Sequence, residues 1–150
     1  YLYHSHVGLQ VDRGLVGALV IEETTPHVAY DRDVVVLVDD WLAWPPTMPA
    51  GSGMGGGMMG GGMGGGMGAM SGMPRYGAHL VNGRPAAAPA LLEVARGERV
   101  RLRLINAAGA TTFRAAFAGH RLTVTHTDGR AVRPVTVDAL VLGPGERYDA

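Results

Sequence analysis

Apolar positions in this chain alternate in short runs, and none recurs convincingly at the 3.6-residue period of a helix. Arg99-Val-Arg-Leu-Arg-Leu104 is the clearest run. It places Val100, Leu102 and Leu104 on one face of a predicted strand and Arg99, Arg101 and Arg103 on the other, facing outward. Further strands are predicted at 112–117, 121–127 and 135–142. Turn signals stand at Asn82-Gly83, Arg96-Gly97, Ala118-Gly119, Asp128-Gly129 and Gly143-Pro-Gly145. Short strands at this spacing predict an all-β Greek-key sandwich. Nearer the start, 14–23 is apolar on both faces, and 33–39 holds the continuous run Val34-Val-Val-Leu-Val38 of a central strand. Two or three strands cannot bury a sheet face alone, so this early part must lean on other sequence.

The alternation stops abruptly between the two groups. Residues 48–73 hold all eight methionines (Met48, Met54, Met58, Met59, Met63, Met67, Met70 and Met73) and 13 of the 24 glycines. Glycine costs about 1 kcal/mol per residue in a helix interior, so the four-residue Met spacing predicts no helix. The expectation is a flexible linker spanning roughly 25–30 Å if it behaves as a Gly-rich coil. Three regions result: 1–45, an insertion at 46–74, and 75–150.

Charge narrows the partners. Thirteen basic and thirteen acidic residues balance, which gives no footprint for nucleic acid or an anionic membrane surface. Every basic residue is arginine, a bias of coding composition rather than chemistry. With no cysteine there is no disulfide, thiolate metal site or thiol nucleophile in these residues. No apolar run approaches a membrane span, and no signal peptide is present. A start at Tyr1 and an end at Ala150 read as a fragment.

Candidate chemistry gathers at Tyr3-His-Ser-His6. Side chains at i and i+2 of a strand share a face, so the imidazoles of His4 and His6 can serve one metal or two adjacent ones. Alone, the pair is a weak signal and reads more readily as two solvated or packing histidines. His27 and His79 read as surface or packing residues and His120 as part of a turn. His126, on the face of Leu122 and Val124, reads as a satisfied core histidine. Asp39 and Asp40 are adjacent on a strand and face opposite ways, which argues against a shared acid–base site. Thioethers are soft ligands for Cu(I), so the Met tract is either a copper collector or a solvated low-complexity expansion. Reversible oxidation of methionine is a third role.

Several strings together resemble the multicopper oxidases. Tyr3-His-Ser-His6, Gly8-Leu-Gln10 and Arg13-Gly-Leu15 resemble the family's second copper-ligand motif. Asp39-Asp-Trp-Leu42 resembles a strand end closing the first cupredoxin domain, and His79-Leu-Val-Asn-Gly-Arg84 the strand opening the second. Val100-Arg-Leu-Arg-Leu-Ile-Asn106 and Gly143-Pro-Gly-Glu-Arg-Tyr-Asp149 resemble later segments of that second domain. Val16 and Ala18 depart from the family's Tyr and Pro. The nearest group is the laccase-like bacterial copper-resistance oxidases, which also carry Met-rich insertions.

The resemblance implies a cupredoxin-like Greek-key sandwich, with 1–45 the end of domain 1 and 75–150 an incomplete domain 2. It implies copper as cofactor, with His4 on one type 3 copper of a trinuclear cluster and His6 on the other. Tyr3 and Leu2 are expected to pack. The remaining cluster motifs and the mononuclear (type 1) site are expected outside these residues, so the fragment alone is expected to be inactive. The implied full-length enzyme is periplasmic or secreted and lacks a membrane span. It oxidises a substrate one electron at a time, Cu(I) or a phenol, and reduces dioxygen to water in copper tolerance. Its partners are copper ions, dioxygen and its own remaining domains. Met54, Met58, Met59, Met63, Met67, Met70 and Met73 are candidate transient Cu(I) sites. The alternatives are a non-catalytic copper-binding protein using the tract, and a cupredoxin-fold protein that has lost its metals.

Overall fold

The structure, a computed structural model, describes residues 1–43 and 75–150. The methionine positions therefore lie outside the described residues. The rest is all-β, with one 3₁₀ turn at Val11–Arg13. Strands β1 (Leu2–His4) and β2 (Val16–Ala18) form a short antiparallel hairpin. Then come β3 (Arg32–Trp41), β4 (Ala78–Val81), β5 (Arg84–Pro85), β6 (Val100–Asn106), β7 (Phe113–Ala115), β8 (Leu122–Thr127), β9 (Arg130–Val137), β10 (Leu140–Leu142) and β11 (Arg147–Asp149). Seven of them make one sheet in the order β5-β4-β3-β6-β11-β8-β9, and β7 pairs with β10 in a second layer.

The core lies between these layers. Leu102 and Leu104 of β6 and Leu122 and Val124 of β8 pack against Leu140 and Leu142 of β10, with Val34, Val36 and Tyr148 at the margin. The alternation in β6 therefore points Val100, Leu102 and Leu104 as expected. Its arginine face does not point to solvent. Arg101 and Arg103 keep only 7% and 13% of their side-chain surface exposed, because the segment after β2 crosses this face and brings Glu23 onto it. Only Arg99 stays outside.

Two other strands differ from expectation. The run 14–23 is extended only over β2, whose sole partner is the three-residue β1; Leu19 and Ile21 are exposed past that ladder. The run 135–142 breaks at Asp138-Ala139, where the β8–β9 ladder ends and the chain crosses to the small sheet as β10. The turns at Asn82-Gly83 and Asp128-Gly129 have positive φ at both residues, as tight hairpins require.

β3 pairs in parallel with β6 from Arg32↔Val100 to Val38↔Asn106, and antiparallel with β4 from Val38↔Val81 to Trp41↔Ala78. It is thus built into the sheet formed by the strands after residue 75.

Candidate metal centre

His4 ends β1, and His6 lies just beyond it in the loop back to β2. Their rings are 4.6 Å apart between centroids and tilted by 33°, and both residues are exposed. The His4 Nδ1 sits 3.2 Å from the Ser5 carbonyl. A carbonyl only accepts, so Nδ1 carries the proton and Nε2 presents its lone pair outward. That is the tautomer that ligates a metal through Nε2. Imidazole is a ligand type that suits copper, so the donor chemistry of the pair fits. Among the described residues no cluster of three His, Cys, Asp or Glu side chains is placed to hold a metal, so the pair contributes two ligands at most.

The loop around the pair is tied by polar contacts. Ser5 donates its hydroxyl to Gln10 Oε1 at 2.6 Å and accepts from the Val7 N–H at 3.1 Å. Ser5 N–H donates to the Leu15 carbonyl, and Leu15 N–H to the Gln10 carbonyl. Tyr3, opposite Gly17, lays its ring over it where any Cβ would clash, but it is otherwise exposed, so the expected packing is limited to this contact.

The other histidines serve structure. His27 Nε2 contacts the Val132 carbonyl, His120 Nδ1 the Ala118 carbonyl, and His79 stacks edge-on to Phe113. His126 is buried and satisfied, but on the face opposite to the one expected. A bulge between Val124 and His126 turns it away from the Leu122–Val124 side, towards the arginines. There its Nε2 meets Glu23 at 2.9 Å and its Nδ1 meets the Thr125 hydroxyl at 3.0 Å. Burial opposes the charge of Glu23, yet hydrogen bonds from Arg101 and His126 hold its carboxyl below the usual range.

Asp39 and Asp40 do face opposite ways. Asp40 is fully buried and caps the loop after β6. Asp39 is 4% exposed and lines a cleft with Val16, Leu37, Trp41 and Leu80; its Oδ1 has no partner among the described residues. Burial, then repulsion from Asp40, pushes the Asp39 carboxyl up to about 6. The folded state therefore holds this proton more tightly than the unfolded chain does. The resulting penalty is nearly absent below about pH 4, grows between about pH 4 and 6 and levels off above that, at about 2–3 kcal/mol. Asp39→Asn is expected to raise stability relative to wild type at pH 7.5 and to leave little difference at pH 4, read by urea denaturation. A difference that does not vary with pH would refute this.

Sequence reasoning missed three residues around the loop: Asp12, buried in the 3₁₀ turn; Tyr76, whose hydroxyl donates to it; and Glu23. No periodicity marks them, since all three act between elements that only the fold brings together.

Residues 32–150 match the family model described as multicopper oxidase. The chain belongs to the multicopper oxidase family. Multicopper oxidase MmcO of Mycobacterium tuberculosis is 40% identical over 165 residues, covering 99% of this chain and 32% of that protein. Copper resistance protein A of Escherichia coli is 29% identical over 180 residues, covering 99% and 30%. Among solved structures, a multi-copper oxidase from Pseudomonas thermotolerans superposes with a TM-score of 0.74 at 29% identity, covering 99% of this chain and 33% of that one. The chain thus spans about a third of the length of these relatives. The fold is the all-β, cupredoxin-like fold of multicopper oxidases, and copper is the metal this family implies. Among the described residues no helix is long and apolar enough to cross a membrane.

Proposed function

We propose that this chain is part of an exported oxidase that couples one-electron oxidation of Cu(I) or a phenol to reduction of dioxygen to water, in copper tolerance. His4 and His6 each hold one copper of a type 3 pair. The observation that carries this reading is the closely spaced, exposed imidazole pair, with the His4 Nδ1 engaged by a carbonyl and Nε2 left outward. Copper, when bound, supplies the redox chemistry. The chain's own residues present the two imidazoles from a loop braced by Ser5 and Gln10. The remaining ligands belong to other parts of the full-length protein.

We draw the division between the two cupredoxin units near residue 31, which moves β3 out of the 1–45 region expected to end domain 1 and into domain 2. Two facts support it: the long pairing of β3 with β6, and the start of the family match at residue 32. Copper tolerance is favoured by the likeness to a copper resistance protein and by the confinement of every methionine to one tract.

The test is copper content and turnover of the full-length protein. His4→Ala and His6→Ala are each expected to lower bound copper and to cut dioxygen consumption at least a hundredfold. Full copper loading and activity in both would sink the ligand assignment. For the tract, deleting residues 48–73 should lower Cu(I) bound per chain. Unchanged stoichiometry would remove Met54, Met58, Met59, Met63, Met67, Met70 and Met73 from the copper path.

A further inference from the structure

The hairpin that carries the histidine pair has little of its own to hold it. β1 and β2 pair over three positions, extended by main-chain bonds between Tyr1 and Leu19 and between Ser5 and Leu15, and Val7, Leu15 and Leu19 around them are exposed. Two strands alone are marginal in water, so the position of this hairpin depends on a few anchors. Asp12 is one of them, and it is held from two directions. Its carbonyl accepts the Leu42 N–H at 2.9 Å, just past the end of β3, and its Oδ1 accepts the Tyr76 hydroxyl. A third element closes over this contact. A Cβ on Gly109 would lie 2.6 Å from both Asp12 Oδ1 and the Tyr76 hydroxyl oxygen, so glycine is required there. Burial, together with the bond to Asp12 and the neighbouring carboxylates, holds the Tyr76 phenol well above its usual range, so it remains a donor.

The turn is in turn bonded to the histidine segment. Gln10, at its start, accepts from Leu15 N–H through its carbonyl and from the Ser5 hydroxyl through its side chain; Ser5 separates the two histidines. We propose that Asp12 and Tyr76 are a positioning pair for His4 and His6. They lock the 3₁₀ turn to the segment that leads into β4, beside the end of β3, and so fix where both imidazoles project, without touching either ring. Without the Asp12 carboxylate, the half-buried Tyr76 hydroxyl loses this acceptor, and the turn is left with its main-chain bond to Leu42 and the contact of Arg13 with the Trp41 ring. This inference rests on the reading of His4 and His6 as copper ligands.

The experiment uses the full-length protein loaded with Cu(II) and compares wild type with Asp12→Ala, Asp12→Asn, Tyr76→Phe and His4→Ala. It reads copper affinity by chelator competition, the spectrum of bound copper, and Tm. Asp12→Ala and Tyr76→Phe are expected to weaken copper binding about tenfold or more and to alter its spectrum, as loss of a ligand's supporting contacts does. Asp12→Asn still offers an amide oxygen to the phenol, and should stay within about threefold of wild type. Tyr76→Phe removes one oxygen and keeps the ring, so it carries the test if Asp12→Ala does not fold. Wild-type affinity and spectrum in Tyr76→Phe, with His4→Ala impaired, would overturn the positioning role alone. Wild-type behaviour in His4→Ala as well would overturn the ligand reading and the positioning role with it.

Discussion

Replacing Asp40 with alanine is expected to destabilise the protein by about 4 kcal/mol. Its side chain is fully buried, and its two oxygens accept four donors from one loop. Oδ1 takes the Gly109 N–H at 2.9 Å. Oδ2 takes the Ala110 N–H at 3.1 Å, the Thr111 N–H at 2.9 Å and the Thr111 hydroxyl at 2.7 Å. A buried donor left without a partner costs about 1–3 kcal/mol. Gly109 and Ala110 are themselves exposed, so water can recover part of that sum. The effect should spread, because Asn106 binds the same loop through the Thr111 carbonyl and reaches the Leu142 carbonyl behind it. Asp40→Asn retains one acceptor oxygen and should lose about half as much. Urea midpoints at constant m-value would measure both. A loss below about 1 kcal/mol for the alanine variant would mean that solvent replaces the carboxylate, contrary to its burial.

Arg101→Ala is expected to cost a similar amount, about 3–5 kcal/mol, for a different reason. Arg101 lies between Glu23, at 2.7 Å, and Asp149, both of which accept from its guanidinium. Burial works against its charge, yet the two carboxylates hold its pKa above the usual arginine value. Removing it takes the shortest cationic contact from two carboxylates that are themselves largely covered, at 28% and 15% side-chain exposure, leaving Glu23 with His126 and Asp149 with Arg103 at 3.6 Å. The segment after β2 should then lift from the sheet, and proteolysis between residues 19 and 31 would report it. A decisive companion is the neutral triple variant Arg101→Met, Glu23→Gln, Asp149→Asn. If the damage comes from uncompensated charge, this variant should recover most of the lost stability. If it falls as far as Arg101→Ala, the arginine contributes packing rather than pairing.

The same residue shows how far the sequence could be read. Period-two alternation in β6 identified the core face from Val100, Leu102 and Leu104 alone, because one layer covers that face and its requirement is apolar. It could not show that the arginine face is covered as well. That cover comes from a segment 78 positions away in sequence, whose single informative residue is Glu23. His126 failed for a related reason: one bulge reverses the parity on which the assignment rested, and no local residue announces it. The five turns were legible because glycine and asparagine chemistry is local. The His4–His6 pair was legible as a motif, but the contacts that brace it were not. Asp12 meets Tyr76 across 64 positions, a separation at which sequence patterning carries no signal.

The antiparallel pairing of β3 with β4 has a consequence for how this protein can change over evolutionary time. Trp41 and Ala78 are register partners, and the Gly77 N–H donates to the Trp41 carbonyl at 2.9 Å, so the strands on either side of residues 44–74 are stitched together independently of what joins them. The entropic cost of closing such a connection grows only logarithmically, by about 0.6 kcal/mol for each doubling of length. Repeats can therefore be gained or lost there by replication slippage with almost no penalty to the sheet. The number of methionines becomes a quantity selection can adjust freely, while the strands on either side stay under the strict demands of packing.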